Sequence, residues 1–113
     1  MGMRNNGGMM IRIAAAYPRQ AGKKFNMDYY LHTHLPLVAK KFGPYGLTKV
    51  EVDKGIEKPG GGESPFFAIG YLYFKTLDGF HQAFAQAGTE VISTIPLYTD
   101  VEPMIQIGEI TEC

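Results

Sequence analysis

The stretch "YYLHTHLPL", Tyr29 to Leu37, places two histidines two residues apart and a proline two residues after the second. An imidazole titrates near pH 6.5, so either ring suits proton transfer near neutrality or metal ligation. Whether the pair acts jointly depends on the element that carries it. On a strand, His-x-His points one way and can chelate a metal. On a helix, positions two apart lie about 200° around the axis and the rings diverge. The flanking residues predict a helix. Asn26 is a natural N-cap and Asp28 puts negative charge in the first turn. Phe25 and Tyr30 are spaced for a hydrophobic staple. Met27, Leu31, His34 and Val38 then share one stripe. His32 is therefore expected in solvent and His34 inside, with no metal site. Pro36 forces a kink or restart. The inward His34 has two roles open to it. It can hydrogen-bond a carbonyl freed by Pro36 as a strut, or line a crevice as a general acid or base.

The chain has seven tyrosines. A phenol in an apolar pocket can orient an oxygenated or aromatic ligand, or protonate an enolate. Tyr17 at the end of the first strand and Tyr30 on the helix are the preferred candidates. Tyr71 and Tyr73 on the third strand are further substrate-binding candidates. Each could equally be a packed ring with its hydroxyl at a rim. Asp28 could orient a histidine, although the helix dipole explains its place. His81 reads as a boundary residue. Gly60 to Gly62 lacks a following Lys-Ser/Thr and joins two strands, so it reads as a hairpin loop and not a phosphate cradle. No G-x-G-x-x-G occurs, and no cofactor is expected from motifs.

The elements that must position these residues follow from periodicity. "MGMRNNGG", residues 1–8, reads as a disordered tail before a single domain over 9–113. "MIRIAAAYP" is strand one and "LTKVEVDKGI" strand two. "PFFAIGYLYFKT" is strand three, apolar at both parities and so buried on both faces. "LDGFHQAFAQAG" is a helix with Leu77, Phe80 and Phe84 on one face, continued for a turn or two until Pro96 stops it. "EPMIQIGEIT" is strand four. The order β-α-β-β-α-β is the α+β, ferredoxin-like arrangement, a four-stranded antiparallel sheet with both helices on one face. Phe67, Ile69, Tyr71 and Tyr73 share one parity. An apolar sheet face left bare by the helices predicts a homodimer in which two sheets stack. The crevice between each sheet and its own helices is then the candidate pocket for a small apolar or aromatic ligand.

Composition narrows the partners. Eleven Lys and Arg balance eleven Asp and Glu, so the chain lacks the basic excess that nucleic acid binding requires. No apolar run approaches the roughly 20 residues of a membrane span. "AAA" at Ala14 to Ala16 mimics a cleavage signal, but Arg12 interrupts the run before it. The single cysteine, Cys113, has no partner for an internal disulfide. These features point to a cytoplasmic protein.

"FNMDYYLHTHLPL", "FGPYGLTKVEVDKG", "PFFAIGYLYF" and "STIPLYTDVEPMIQIGEI" together resemble the EthD family, over Met10 to Ile110. The most specific match is Tyr29-Tyr30, then His34-x-Pro36-Leu37, then Phe42-Gly43, with "IPLYTDVEP" as a second, independent match. The resemblance implies a dimeric α/β barrel. It also implies a link to ethyl tert-butyl ether degradation, where a member accompanies a haem monooxygenase system. Some members carry a reductase label, fungal relatives act as dehydratases, and related barrels include lactone isomerases, polyketide cyclases and cofactor-free monooxygenases. Fold alone does not choose among these. Three readings follow. The first is a cofactor-independent acid/base enzyme with His34 moving a proton and Tyr30 and Tyr17 positioning an oxygen. The second is a non-catalytic accessory or binding protein of a degradation pathway. The third is a haem- or flavin-dependent oxidoreductase.

Overall fold

The computed structural model describes residues 10–113. The expected tail, residues 1–8, and the first residue of the expected domain lie outside them. Strand β1 spans Ile11–Pro18, β2 Leu47–Lys54, β3 Phe66–Phe74 and β4 Met104–Glu109. They form one sheet in the order β2-β3-β1-β4, every neighbour antiparallel. Helix α1 occupies residues 27–42 and helix α2 is Leu77–Ser93. The chain is an α+β, ferredoxin-like domain. Among the described residues no helix is long and apolar enough to cross a membrane.

Helix α1 starts as its sequence dictates. The Asn26 side chain accepts a hydrogen bond from the Tyr29 amide at 3.0 Å, and the Phe25 and Tyr30 rings meet at 5.1 Å. The helix is not uniform. It is α-helical over Met27–Tyr29, π-helical over Tyr30–His34 and α-helical again over Leu35–Phe42. Pro36 directly follows the π segment, inside the continuous helix, and leaves one preceding carbonyl without a backbone donor. The buried stripe differs from the expected one. It is Tyr30, His34, Val38 and Phe42, while Leu31 is exposed. Residues four apart overshoot a regular α-turn by about 40°. The wider π turn takes up that drift between Tyr30 and His34, which rotates Tyr30 inward and Leu31 out.

Helix α2 is capped by Thr76, whose hydroxyl accepts from the Gly79 amide at 2.9 Å. Its buried residues are Phe80, Ala83, Ala87, Gly88 and Val91. Phe84, expected on the same face, is 46% exposed, because the stripe follows the small residues that let α2 approach α1. A short 3-10 turn, Ile95–Leu97, ends the helical region at Pro96 as expected.

Ile11, Ile13, Ala15 and Tyr17 of β1, and Ala68, Gly70, Leu72 and Phe74 of β3, face the helices. The other face carries Arg12, Ile69, Tyr71 and Tyr73. It is less apolar than its parity suggested. The Arg12 guanidinium lies 4.9 Å from the centre of the Tyr71 ring, and the Tyr71 and Tyr73 hydroxyls donate to Asp53 and Glu51 of β2. Phe67 leaves the parity of that row. The β1–β3 register shifts at its position, and its ring stacks on Phe25 at 5.6 Å.

Candidate functional site

The helices cover the sheet unevenly. Ile105 and Ile107 of β4 pair with Ala15 and Ile13 and so share the helix-facing side, yet they are 57% and 46% exposed. Between this uncovered edge and the two helices lies a cleft of about 1180 Å³. Its floor is Ile13, Ala15, Tyr17, Gly70 and Leu72. Its walls are Tyr30, His34 and Val38 of α1 and Phe80, Phe84 and Ile92 of α2. Lys23, His81, Asp100 and Glu102 supply the ionisable groups of its lining besides His34 and the phenols. A mainly apolar concavity with a few converging polar groups has the form of a small-molecule site.

The polar groups converge because two loops are strapped together. Asn26 N donates to the Tyr98 carbonyl at 2.7 Å, the Thr99 hydroxyl donates to the Lys24 carbonyl at 2.6 Å, and Phe25 bridges Thr99. This fixes Tyr98 beside the end of β1, where its hydroxyl lies 2.6 Å from that of Tyr17. Tyr30 packs edge-on to Tyr17 at 5.5 Å. The Tyr30 hydroxyl lies against Gly70, where a Cβ would collide with it. That hydroxyl makes no hydrogen bond to another described residue. Desolvation by burial raises the pKa of all three phenols, so they stand protonated.

His34 is 4% exposed, stacked on Tyr30 at 5.9 Å and tilted against Tyr98 at 4.6 Å. Its Nδ1 is 2.9 Å from the Thr94 hydroxyl oxygen, which lies 2.8 Å from the Val91 carbonyl. Two oxygens that close need a proton between them, so the Thr94 hydroxyl donates to Val91 and Nδ1–H donates to Thr94. The ring is thereby held as the Nδ1–H tautomer. Nε2, the basic nitrogen, has no partner among the described residues. Burial lowers the His34 pKa from 6.5 to about 4, so the ring is neutral at physiological pH.

The sequence candidates thus divide. His34, Tyr17 and Tyr30 come together on the cleft. Tyr71 and Tyr73 stand apart on the opposite sheet face, hydrogen-bonded to β2 carboxylates. The proposed strut role of His34 through a carbonyl freed by Pro36 is replaced by the Thr94 contact. Asp28 meets the exposed His32 at 3.0 Å and not His34, and the two histidines diverge as expected. Three participants went unassigned in sequence. Tyr98 stood in the quoted "IPLYTD" match without a chemical role. Thr94 looked like an ordinary helix end, and Gly70 like one residue of a strand. Among the described residues no group of three or more His, Cys, Asp or Glu comes close enough to hold a metal.

The model of the EthD domain matches residues 21–102, a span holding His34, Thr94 and Tyr98. The chain belongs to the EthD domain family. An EthD-like protein from Ralstonia eutropha JMP134 is 28% identical, with a TM-score of 0.87 over 93% of this chain and 95% of that one. An EthD family protein from Bacillus halodurans C-125 is 21% identical, with a TM-score of 0.64 over 91% and 100%. The fold extends to SnoaB, a cofactor-independent oxygenase from Streptomyces nogalater, at 10% identity and a TM-score of 0.58 over 94% and 95%. A comparison with curated protein sequences finds no match.

Proposed function

We propose that this EthD domain binds an apolar, oxygenated small molecule in the cleft between sheet and helices, with His34 as a cofactor-independent general base. The observation that carries this reading is the ordering of His34, which lines the cleft, commits Nδ1 to Thr94 and has no partner for Nε2 among the described residues. A neutral imidazole beside phenol hydroxyls in an apolar site can accept a proton in one step and return it in the next, as isomerisation, dehydration or lyase chemistry requires. A π turn within an α-helix recurs at functional sites, and here it carries this histidine.

Thermal-shift titration of the wild type and His34→Gln, with a panel of aromatic ketones, lactones, tert-butyl ethers and hydroxyacids, tests the reading. Ligands are expected to stabilise both proteins, with turnover of the binders lost in the variant. Turnover retained by a folded His34→Gln protein removes His34 from the chemistry. Binding without chemical change in the wild type favours the accessory role over an enzyme. We further propose that two copies pack through the sheet face bearing Ile69, Tyr71 and Tyr73, with a dimer mass expected in light scattering and a monomer mass at all concentrations refuting it.

A further inference from the structure

We propose that the Tyr17 and Tyr30 hydroxyls form a two-donor cradle for one carbonyl oxygen, and that the cleft takes an enolisable ketone whose α-proton passes to and from His34 Nε2. This rests on the reading of the cleft as a small-molecule site with His34 as its base.

The cradle follows from counting protons. Tyr17 and Tyr98 are 2.6 Å apart through their oxygens, so one proton lies between them and the other hydroxyl proton is uncommitted. Tyr17 lines the cleft and Tyr98 does not. A buried O–H without an acceptor is costly, and only Tyr17 has the cleft in which to find one. Tyr98 is therefore the donor of the pair, and the free proton belongs to Tyr17. The Tyr30 hydroxyl, on a residue 1% exposed, has no acceptor among the described residues either. Among the described residues, the cleft thus has two donors without acceptors and, on His34, an acceptor without a donor. One carbonyl oxygen has two lone pairs for the two phenols, and the carbon beside it carries the hydrogen that Nε2 can take.

The step balances without an oxidant. Nε2 takes the α-proton, and the C–H electron pair becomes the enolate C=C bond. The carbonyl π pair moves to the oxygen, where both phenols hold the developing charge. Return of the proton to the same carbon regenerates the ketone, and return at a conjugated carbon shifts the double bond. Donors placed where charge develops favour the transition state over the bound ground state. The enolate beside the newly protonated ring offsets the desolvation that disfavours its charge.

The test follows α-proton exchange of 2-tetralone in deuterium oxide by NMR, with binding read separately by thermal shift and folding by circular dichroism. The wild type is expected to bind 2-tetralone and speed exchange over buffer. Tyr17→Phe and Tyr30→Phe, which keep the rings, are expected to slow it by about 10²-fold each, and His34→Gln to abolish it. Exchange unchanged in both Phe variants but lost in His34→Gln overturns the cradle and leaves the base. Bound 2-tetralone that the wild type does not exchange overturns the ketone assignment and leaves a binding site. Binding of neither 2-tetralone nor any member of the panel overturns both readings.

Discussion

The two halves of the layer between sheet and helices are built from different chemistry. Under α2 and the end of α1, Ile11, Ile13, Val38, Phe42, Phe74, Phe80, Ala83, Ala87 and Val91 form a cluster with no polar side-chain atom. Under the start of α1, Tyr17, Tyr30, Tyr98, Ala68 and Val101 form a second, and His34 stacks on its phenols. Hydrocarbon packing stabilises in proportion to the apolar area it removes from water. Buried hydroxyls and imidazole give part of that back unless each finds a partner. Tyr30 Oη and His34 Nε2 have none within the described chain. The apolar half holds the fold, and the polar half presents groups that the described chain does not pair.

That division predicts unequal responses to truncation. Phe74 is fully buried, with its ring 6.1 Å from Phe42 and 5.5 Å from Phe80. Phe74→Ala is expected to destabilise by about 3–5 kcal/mol, through lost transfer energy and the cavity left behind. Tyr98→Phe in the polar half removes one hydrogen bond and no ring, and is expected to cost about 1 kcal/mol. Denaturant unfolding monitored by circular dichroism measures both. Equal losses would erase the distinction between the halves.

Acid separates them further. His34 binds its proton with a pKa of about 4 when folded against 6.5 when free. Between these values the unfolded chain holds more protons than the native one, so the stability contributed by this site falls as pH drops from about 6.5 to about 4. Below that both states are protonated and the loss is complete, at about 3 kcal/mol for the shift. Unfolding midpoints across this window are expected to fall more steeply for the wild type than for His34→Gln, which has no group to titrate there. Parallel curves would mean that the ring is not held neutral by burial.

How much of this was legible follows the same division. Alternation along "IRIAAAYP" and "LTKVEVDK", the Asn26 cap and the Phe25–Tyr30 staple are local signals, and the structure agrees with each. The position of His34 inside was legible from its distance to Val38. Its function was not, because the group that fixes its tautomer lies 60 residues away and the phenol pair spans 81. No periodicity reports a contact of that separation. The distance of Tyr71 and Tyr73 from the cleft was hard to read for another reason. Parity says that two residues share a face, and only the packing of α1 and α2 says which face is the cleft. The π turn was half-visible. Pro36 announced an irregularity, but the proline alone does not say that the helix widens before it and turns Tyr30 inward.

A substitution on the sheet probes the polar half at its narrowest point. Gly70 is not needed for its backbone angle. It is needed because the Tyr30 hydroxyl occupies the space of its missing Cβ. Gly70→Ala forces the ring off its seat and is expected to destabilise by about 1–3 kcal/mol, the usual cost of overpacking. Tyr30→Phe alone deletes a buried hydroxyl with no partner in the described chain, so it is expected to leave stability unchanged or raise it slightly. In the double variant the clash is gone, and a Gly70→Ala, Tyr30→Phe cycle in denaturant unfolding is expected to recover most of the loss. Recovery ties the glycine to the hydroxyl. A Gly70→Ala cost that persists in the Tyr30→Phe background would mean that β3 itself rejects the methyl group, and that the phenol is free to settle elsewhere in the cleft.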